Sequence, residues 1–441
     1  MAVAAADVHE TLGRWILAHG MPIVWDIDKS QGAYLHDGKS GIDYLDFFSF
    51  FSTRALSFNH PRLVEPEVTA RLARVARQRP SNCDLYSEPY ASFVDKLGRV
   101  AFGGEFPHLF FIDGGGPAVD NAVKTAIDWK HRHNLAQGRV ASGSQILHFR
   151  QAFHGRTGYA LSLTDSHDSR KTQYFPTFPW PRVTNPKMRF PFDGPAAKDV
   201  AALEAVAEAE ILAAFDAHPH DIAAVIIETI QGEGGDNYFR TEFLRALRRI
   251  CDERQALLIF DEVQTGFGAS GQWWDWQNHA VKPDVVVFGK KSQVCGLAAG
   301  ARLDEVDSVF KVPSRISSTW EGNLVDMVRA ELIIDVVVEE DLLVHTRRMG
   351  DYLGKVLRDL ATMHPEMSGV RFRGALAAFD LPSGAERDRV VGACFEEQLL
   401  VVPGGERSVR LRPSLDIGAD AVGRCAAQLA AAIQRAYGKS R

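Results

Sequence analysis

Leu257-Leu258-Ile259-Phe260-Asp261 and Val285-Val286-Val287-Phe288-Gly289-Lys290 are two short apolar runs, each followed by a charged residue. Runs apolar at successive positions read as strands buried on both faces, as in parallel sheets covered by helices. Such strands deliver the residues at their carboxyl ends to a common crevice. Asp261 and Lys290 are therefore expected to meet there. An amine captures an aldehyde, and a carboxylate keeps a pyridine nitrogen protonated; these are the two needs of pyridoxal phosphate, so the pair points to transamination. Lys291 is the competing amine, since neighbouring strand positions face opposite sides and only one can point at the ring.

Outward from these runs, further apolar stretches at His108–Ile112, Gln145–Phe149 and Ala223–Glu228 read as strands, and the two quoted runs as Ala256–Phe260 and Asp284–Phe288. Helical stretches at Ala118–His131, Asp199–Phe215 and Arg240–Glu253 separate them. The alternation predicts an α/β fold with a mostly parallel sheet sandwiched by helices. Residues 10–18 read as a helix, His36-Asp37-Gly38-Lys39 as a hairpin turn, and a helix is expected from Asn59-His60-Pro61 to about Arg77. Pro176–Ala197 reads as a long ordered loop. The last hundred residues predict a long helix from Leu324, short strands near Val370–Arg373, Ala375–Phe379 and Val409–Arg412, and a closing helix from Ala419 to Tyr437. This gives an N-terminal segment 1–70 that joins a smaller α+β domain and lends a loop to the site, a large domain 71–325, and a C-terminal small domain 326–441.

A net charge of −6 without a long basic run argues against nucleic acid and anionic membrane surfaces as partners. Small polar metabolites fit better. Five cysteines with no Cys-x-x-Cys argue against a disulfide framework and a structural metal, and fit a reducing cytoplasm. Met1 to His9 lack the basic-then-apolar pattern of a secretory signal, and no stretch of about 20 apolar residues occurs.

The loop Asp113-Gly114-Gly115-Gly116-Pro117 follows a strand and opens a helix expected at the proline, an arrangement that can hold a phosphate with backbone amides. Its spacing is not the Gly-x-Gly-x-x-Gly of dinucleotide sites. Asp261 and Val263 share a face if their strand continues, so carboxylate and valine could touch one ligand. Gln151-Ala152-Phe153-His154-Gly155-Arg156 offers an aromatic for stacking and an arginine, and Glu228 and Glu233 place two carboxylates at a strand mouth. Arg410 and Arg412 alternate with Val409 and Leu411, which makes one strand face basic and suited to a carboxylate.

Together, Gly114-Gly115-Gly116, Phe153-His154-Gly155-Arg156, Gln231-Gly232-Glu233-Gly234-Gly235, Asp261-Glu262-Val263-Gln264-Thr265-Gly266 and Phe288-Gly289-Lys290 resemble the class III aminotransferases of fold type I. Phe288-Gly289-Lys290-Lys291-Ser292-Gln293-Val294-Cys295-Gly296 and Pro80-Ser81-Asn82-Cys83-Asp84-Leu85-Tyr86 are similar to the L-lysine 6-aminotransferases within that class. The resemblance spans roughly residues 30–437. It implies a seven-stranded sheet, and it selects Lys290 as the aldehyde-capturing and proton-moving amine, with Asp261 on the pyridine nitrogen. Phe153 and Val263 would cover the ring faces, Gln264 the ring hydroxyl, and Gly115 and Gly116 the phosphate, with Glu228 beside them. Thr319 would reach the phosphate from a second subunit, which implies a homodimer with shared sites. Arg156 would take the donor carboxylate and Arg412 the α-carboxylate of 2-oxoglutarate or glutamate, with Glu233 covering Arg412 while the donor is bound. The implied reaction moves the terminal amino group of L-lysine or a close analogue to 2-oxoglutarate, giving 2-aminoadipate 6-semialdehyde, which cyclises, and L-glutamate. Other class III donors, namely ornithine, 4-aminobutyrate, a diamine or a modified lysine, are the alternative, and a racemase or mutase of the same fold is the rival from another reaction class.

The chain departs from that family's pattern at several positions. The phosphate loop lacks hydroxyl residues, Glu321 stands close to the expected phosphate site, and Ser317 replaces an expected asparagine. Arg54 and Ser57 fall in the N-terminal loop expected to line the pocket, and Arg54 is expected to alter donor choice toward a substituted or more acidic lysine analogue.

Overall fold

Seven strands form the central sheet of the computed structural model, which describes residues 3–438. Their spatial order is His108–Phe111, Gly296–Ala299, Val285–Phe288, Leu257–Asp261, Ile222–Glu228, Gln145–Phe149 and Arg182–Val183. The five strands from Val285–Phe288 to Arg182–Val183 pair in parallel, and Gly296–Ala299 runs antiparallel to both its neighbours. The fold class read from the alternation of strands and helices is borne out.

The three central strands are buried along their whole length. Successive residues enter opposite cores: Leu258, Phe260, Val286 and Phe288 join one cluster, while Leu257, Ile259, Val285 and Val287 join the other. That is the two-residue period of a pleated strand with helices on both sides. Each such side chain contributes about 1.5–3 kcal/mol of burial. Helix Gly115–Ala136 covers one face, and helices Thr241–Glu253 and Leu324–Glu339 cover the other.

A four-stranded antiparallel sheet, Ser368–Arg373, Leu376–Asp380, Ser408–Leu411 and Val402–Gly404, forms a separate core with helices Leu342–Met363, Gly384–Glu396 and Ala419–Tyr437. N-terminal strands Trp25–Gln31, Tyr34–Asp37 and Asp43–Asp46 accept Leu399–Leu400 as a fourth, so both ends of the chain share one sheet. Of the stretches 1–70 and 326–441, Met1, Ala2 and Lys439 to Arg441 lie outside the described residues.

Several elements differ from expectation. The helix expected over 10–18 spans Val8–Gly13. The one expected from Pro61 to Arg77 is a single turn, Pro61–Leu63, followed by helix Pro66–Ala76. Pro66 restarts it because the residue before a proline avoids helical geometry, and Glu65 takes ψ 137°. The long helix from Leu324 breaks between Glu339 and Leu342, where Asp341 has φ 49°. Helix Gly115–Ala136 begins two residues before Pro117. The segment Pro176–Ala197 contains the edge strand Arg182–Val183 and the first residues of helix Gly194–Ala217. Ser49, Phe50, Phe51 and Ser52 form a left-handed turn with φ of 46°, 49°, 58° and 72°. Non-glycine residues avoid that region, and four in succession mark a strained segment beside the site. Among the described residues, no helix is long and apolar enough to cross a membrane.

Candidate active site

Asp261 ends its strand, and Lys290 follows Val285–Phe288 by two residues; both line a cavity of about 580 Å³ at the carboxyl edge of the sheet. Gly115, Gly116, Phe153, Glu228, Val263 and Gln264 line it as well. Lys290 does not continue the strand. It opens a short helical turn at φ 54°, so strand alternation does not govern which lysine faces inward. Lys291 turns away and donates to the carbonyls of Arg54 (2.8 Å) and Pro413 (3.3 Å). Val263 likewise reaches the cavity from a turn rather than a continuing strand, and its amide donates to Asp261 Oδ1 at 3.1 Å.

His154, to which the sequence reading gave no role, meets Asp261: its Nδ1 lies 2.8 Å from Asp261 Oδ2, with the imidazole side chain wholly buried. Its Nε2 is buried without a partner. Glu228 accepts from the amides of Phe153 (2.8 Å) and Gly232 (3.0 Å), and burial, opposed by His154 and reinforced by Asp261, pushes its carboxyl up to about 7. Burial, then Arg410 and Arg412, push the Lys290 ammonium down to about 8 against the pull of Glu228 and Asp261. A lysine so placed supplies a neutral amine near physiological pH.

The glycines leave the phosphate end open. A Cβ on Gly116 would stand 2.6 Å from Thr157 Oγ1, and one on Gly155, at φ 127°, would stand 2.8 Å from the Gly116 Cα. Close backbone approach at the start of a 22-residue helix leaves unpaired amides and a positive dipole end for an anion. A flat anionic pyridine aldehyde finds here a backbone cradle, an amine, a ring-facing carboxylate and the aromatic face of Phe153; pyridoxal phosphate fits these residues. Thr319 is exposed and borders neither this cavity nor the next. Glu321 turns aside, accepting from the Ser318 amide at 3.2 Å, and lines neither cavity.

A second cavity of about 810 Å³ adjoins the first through Phe153, Gln264 and Lys290, and holds Arg156, Glu233, Arg410 and Arg412. Here the expected carboxylate clamp needs correction. Arg412 is 1% exposed and its guanidinium is neutralised by both oxygens of Asp236. Glu233 does not cover it; its Oε1 accepts from Lys171 (2.5 Å) and Ser166 (2.9 Å). Arg410 is the cation left over. It is 5% exposed, binds only the Gly232 and Pro403 carbonyls and the Gln264 side chain, and keeps its Nε unpartnered. Burial, then Arg412, hold it down to about 10. A buried guanidinium without a carboxylate suits an anionic ligand. The sequence marked the basic face of this strand but not which arginine Asp236 had already claimed.

Arg54 also needs correction. It borders the first cavity, yet its guanidinium pairs with Asp46 (2.7 Å), donates to the Leu56 carbonyl (2.8 Å) and stacks 3.9 Å from the Phe58 centroid. The free charge expected to favour an acidic donor is absent. Asp46 also caps the amides of Phe48 and Ser49, so Arg54 braces the left-handed turn. Ser57 binds Asp416 through its amide and borders a different cavity, and Ser317 is exposed outside both.

The family model for class III aminotransferases matches residues 16–433. The L-lysine-epsilon aminotransferase of Mycobacterium tuberculosis is 50% identical over 414 residues, covering 93% of this chain and 91% of that protein. The enzyme of the same name from Streptomyces clavuligerus is 43% identical over 435 residues, covering 97% and 94%. The structure of the M. tuberculosis lysine aminotransferase in the internal aldimine form superposes with a TM-score of 0.96 at 47% identity, covering 98% of this chain and all of that one. An omega transaminase from Pseudomonas jessenii, at 22% identity and a TM-score of 0.84, shares the fold.

Proposed function

The chain belongs to the class III aminotransferases, and from that premise we propose that it transfers the terminal amino group of L-lysine, or a close analogue, to 2-oxoglutarate, yielding 2-aminoadipate 6-semialdehyde and L-glutamate. What carries the choice of donor is the 50% identity to an L-lysine-epsilon aminotransferase across nearly the whole chain. Pyridoxal 5′-phosphate is the cofactor, and when bound it supplies an electron-withdrawing ring that stabilises negative charge on the carbon bearing the transferred amine.

Gly115 and Gly116 would hold the phosphate with backbone amides. Phe153 and Val263 would close the two ring faces, Gln264 and Glu228 would serve the ring's oxygen side, and Asp261 would hold the pyridine nitrogen protonated. His154 fixes that carboxylate by donating from Nδ1, so the negative charge stays aimed at the ring. The Lys290 Nζ would hold and move the proton lost from the ε-carbon of lysine, and its lowered pKa makes the neutral base available near pH 8. Arg156, exposed at the cavity mouth, receives the donor's α-carboxylate. Arg410, in place of Arg412, receives the α-carboxylate of 2-oxoglutarate, and Glu233 masks it during the donor half-reaction. Arg54 acts on the donor only through the loop it braces.

We read residues 71–325 as the large domain, with 1–70 and 326–441 building the smaller one. We also read a homodimer with shared sites. Trp15, Leu17, Leu85, Tyr86 and Tyr174 are each 80% or more exposed, apolar side chains of the kind a second copy would cover, and Thr319 is free to reach across. The cysteines, none of them paired, fit a cytoplasmic setting.

The test is to incubate the protein with 2-oxoglutarate and individual donors, and to measure glutamate together with the aldehyde or its cyclic imine. Lysine is expected to give the largest kcat/KM. A larger value for ornithine, 4-aminobutyrate or 1,5-diaminopentane would contradict the assignment.

A further inference from the structure

Glu233 is held in the second cavity by a residue to which neither the fold nor the proposed reaction gives a role. Lys171 Nζ lies 2.5 Å from Glu233 Oε1 and 3.5 Å from Ser166 Oγ, with the Ser166 hydroxyl 2.9 Å from the same carboxylate oxygen. The same ammonium sits 5.8 Å from the centroid of the Phe153 ring. The other carboxylate oxygen, Oε2, is buried without a partner. On the other side, Arg410 Nη1 grips the carbonyl of Gly232, the residue immediately before Glu233, at 2.7 Å. One guanidinium without a carboxylate thus stands beside the backbone of a carboxylate that is paired elsewhere.

We propose that Lys171 is the alternate docking partner of the Glu233 carboxylate, which passes between Lys171 and Arg410 as donor and acceptor alternate, so that only one of these two cations faces substrate at a time. The proposal rests on the reading of Arg410 and Glu233 given above. Movement from one cation to the other is favoured over a swing into an unpaired position, because a half-buried carboxylate without a partner is costly. It needs only rotation about the side-chain bonds of Glu233, since Arg410 already holds the adjoining peptide. With Glu233 on Lys171, Arg410 is open to the carboxylate of 2-oxoglutarate. With Glu233 on Arg410, the Lys171 ammonium is released into the cavity that also contains Arg156, where the distal carboxylate of lysine is to be bound. Lys171 is therefore a positioning residue for the acceptor half-reaction and an auxiliary carboxylate contact for the donor.

The experiment measures KM and kcat for 2-oxoglutarate, lysine and 1,5-diaminopentane in Lys171→Met, Lys171→Arg, Glu233→Gln, Arg410→Met and the double variant Lys171→Met/Glu233→Gln. Losing the Lys171 charge leaves Glu233 on Arg410, so KM for 2-oxoglutarate is expected to rise about tenfold, more than kcat falls. KM for lysine rises and KM for the carboxylate-free diamine does not. Lys171→Arg retains most of the wild-type behaviour, and the double variant returns KM for 2-oxoglutarate to that of Glu233→Gln alone. Should Lys171→Met not fold, Ser166→Ala gives the same shift in smaller measure. An unchanged KM for 2-oxoglutarate in Lys171→Met, or a double variant as impaired as Lys171→Met, overturns the proposal. If Arg410→Met leaves KM for 2-oxoglutarate unchanged, the underlying reading of Arg410 falls; if it raises that KM while Lys171→Met does not, only the role of Lys171 falls.

Discussion

His154 and Asp261 show how one contact sets the chemistry of the site. The imidazole Nδ1 occupies Asp261 Oδ2, and the Val263 amide occupies Oδ1, so the carboxylate cannot rotate freely. His154→Ala is expected to lower kcat about 10- to 100-fold, the usual effect of removing a group that orients a directly acting ligand, with a weaker hold on the cofactor. A steady-state assay with wild-type kcat would sink that role. Lys290 makes a pH prediction. Its ammonium is lowered to about 8 from the ordinary 10.5, so the neutral amine grows roughly tenfold between pH 7 and pH 9. Capture of pyridoxal phosphate by the apoprotein should accelerate over that range and then level off; stopped-flow absorbance showing a flat profile would contradict it. The same shift bears on stability: between about 8 and 10.5 the unfolded chain binds more protons at this residue than the folded one, so its contribution to stability rises with pH across that window. At this scale, the strand-end positions of Asp261 and Lys290 were legible because apolar runs end abruptly at charged residues. Whether Arg410 or Arg412 stays uncompensated was not legible, since both lie on one strand face and only the fold reveals that Asp236 neutralises the second.

The start of helix Gly115–Ala136 carries the phosphate argument, and its tightest neighbour is Gly155. A Cβ at residue 155 would press on the Gly116 backbone and would also require an unfavourable positive φ. Gly155→Ala is therefore expected to weaken pyridoxal phosphate binding about tenfold or more by equilibrium titration, with Gly194→Ala, whose Cβ meets nothing within 4 Å, as a silent control. Unchanged affinity in Gly155→Ala would remove the cradle from the account. The elements that sequence alone conveyed well are the buried central strands, whose unbroken apolar runs are too short for buried helices. Gly296–Ala299 escaped because glycine and two alanines around the single Leu297 carry no strand signature, although it separates His108–Phe111 from the rest of the sheet. The turn Ser49–Ser52 escaped because left-handed geometry is normally announced by glycine or asparagine, and here tertiary contacts such as the Asp46–Arg54 pair impose it on Ser-Phe-Phe-Ser.

For the whole molecule, the two ends of the chain share a sheet, and the strand that carries Arg410 pairs beside Leu376–Asp380 in the four-stranded antiparallel sheet. The site thus draws Arg410 from one part of the chain and Arg156, Asp261 and Lys290 from another, which explains why composition and local pattern suggested the reaction class but not the geometry of substrate binding. A shared-site dimer predicts complementation. Lys290→Ala and Thr319→Ala homodimers should each be impaired, and mixed dimers should recover activity because one site pairs an intact Lys290 with an intact Thr319 from the other copy; no recovery after subunit exchange would argue that each site is built from one chain. That Lys290 acts on the terminal rather than the α-amino group of lysine, with Arg156 holding the α-carboxylate, is tested most directly by isotope tracing. Lysine labelled with nitrogen-15 at the ε position should deliver the label to glutamate formed from 2-oxoglutarate, and lysine labelled at the α position should give unlabelled glutamate. Label arriving from the α position, or equal transfer in Lys290→Ala, would contradict the account.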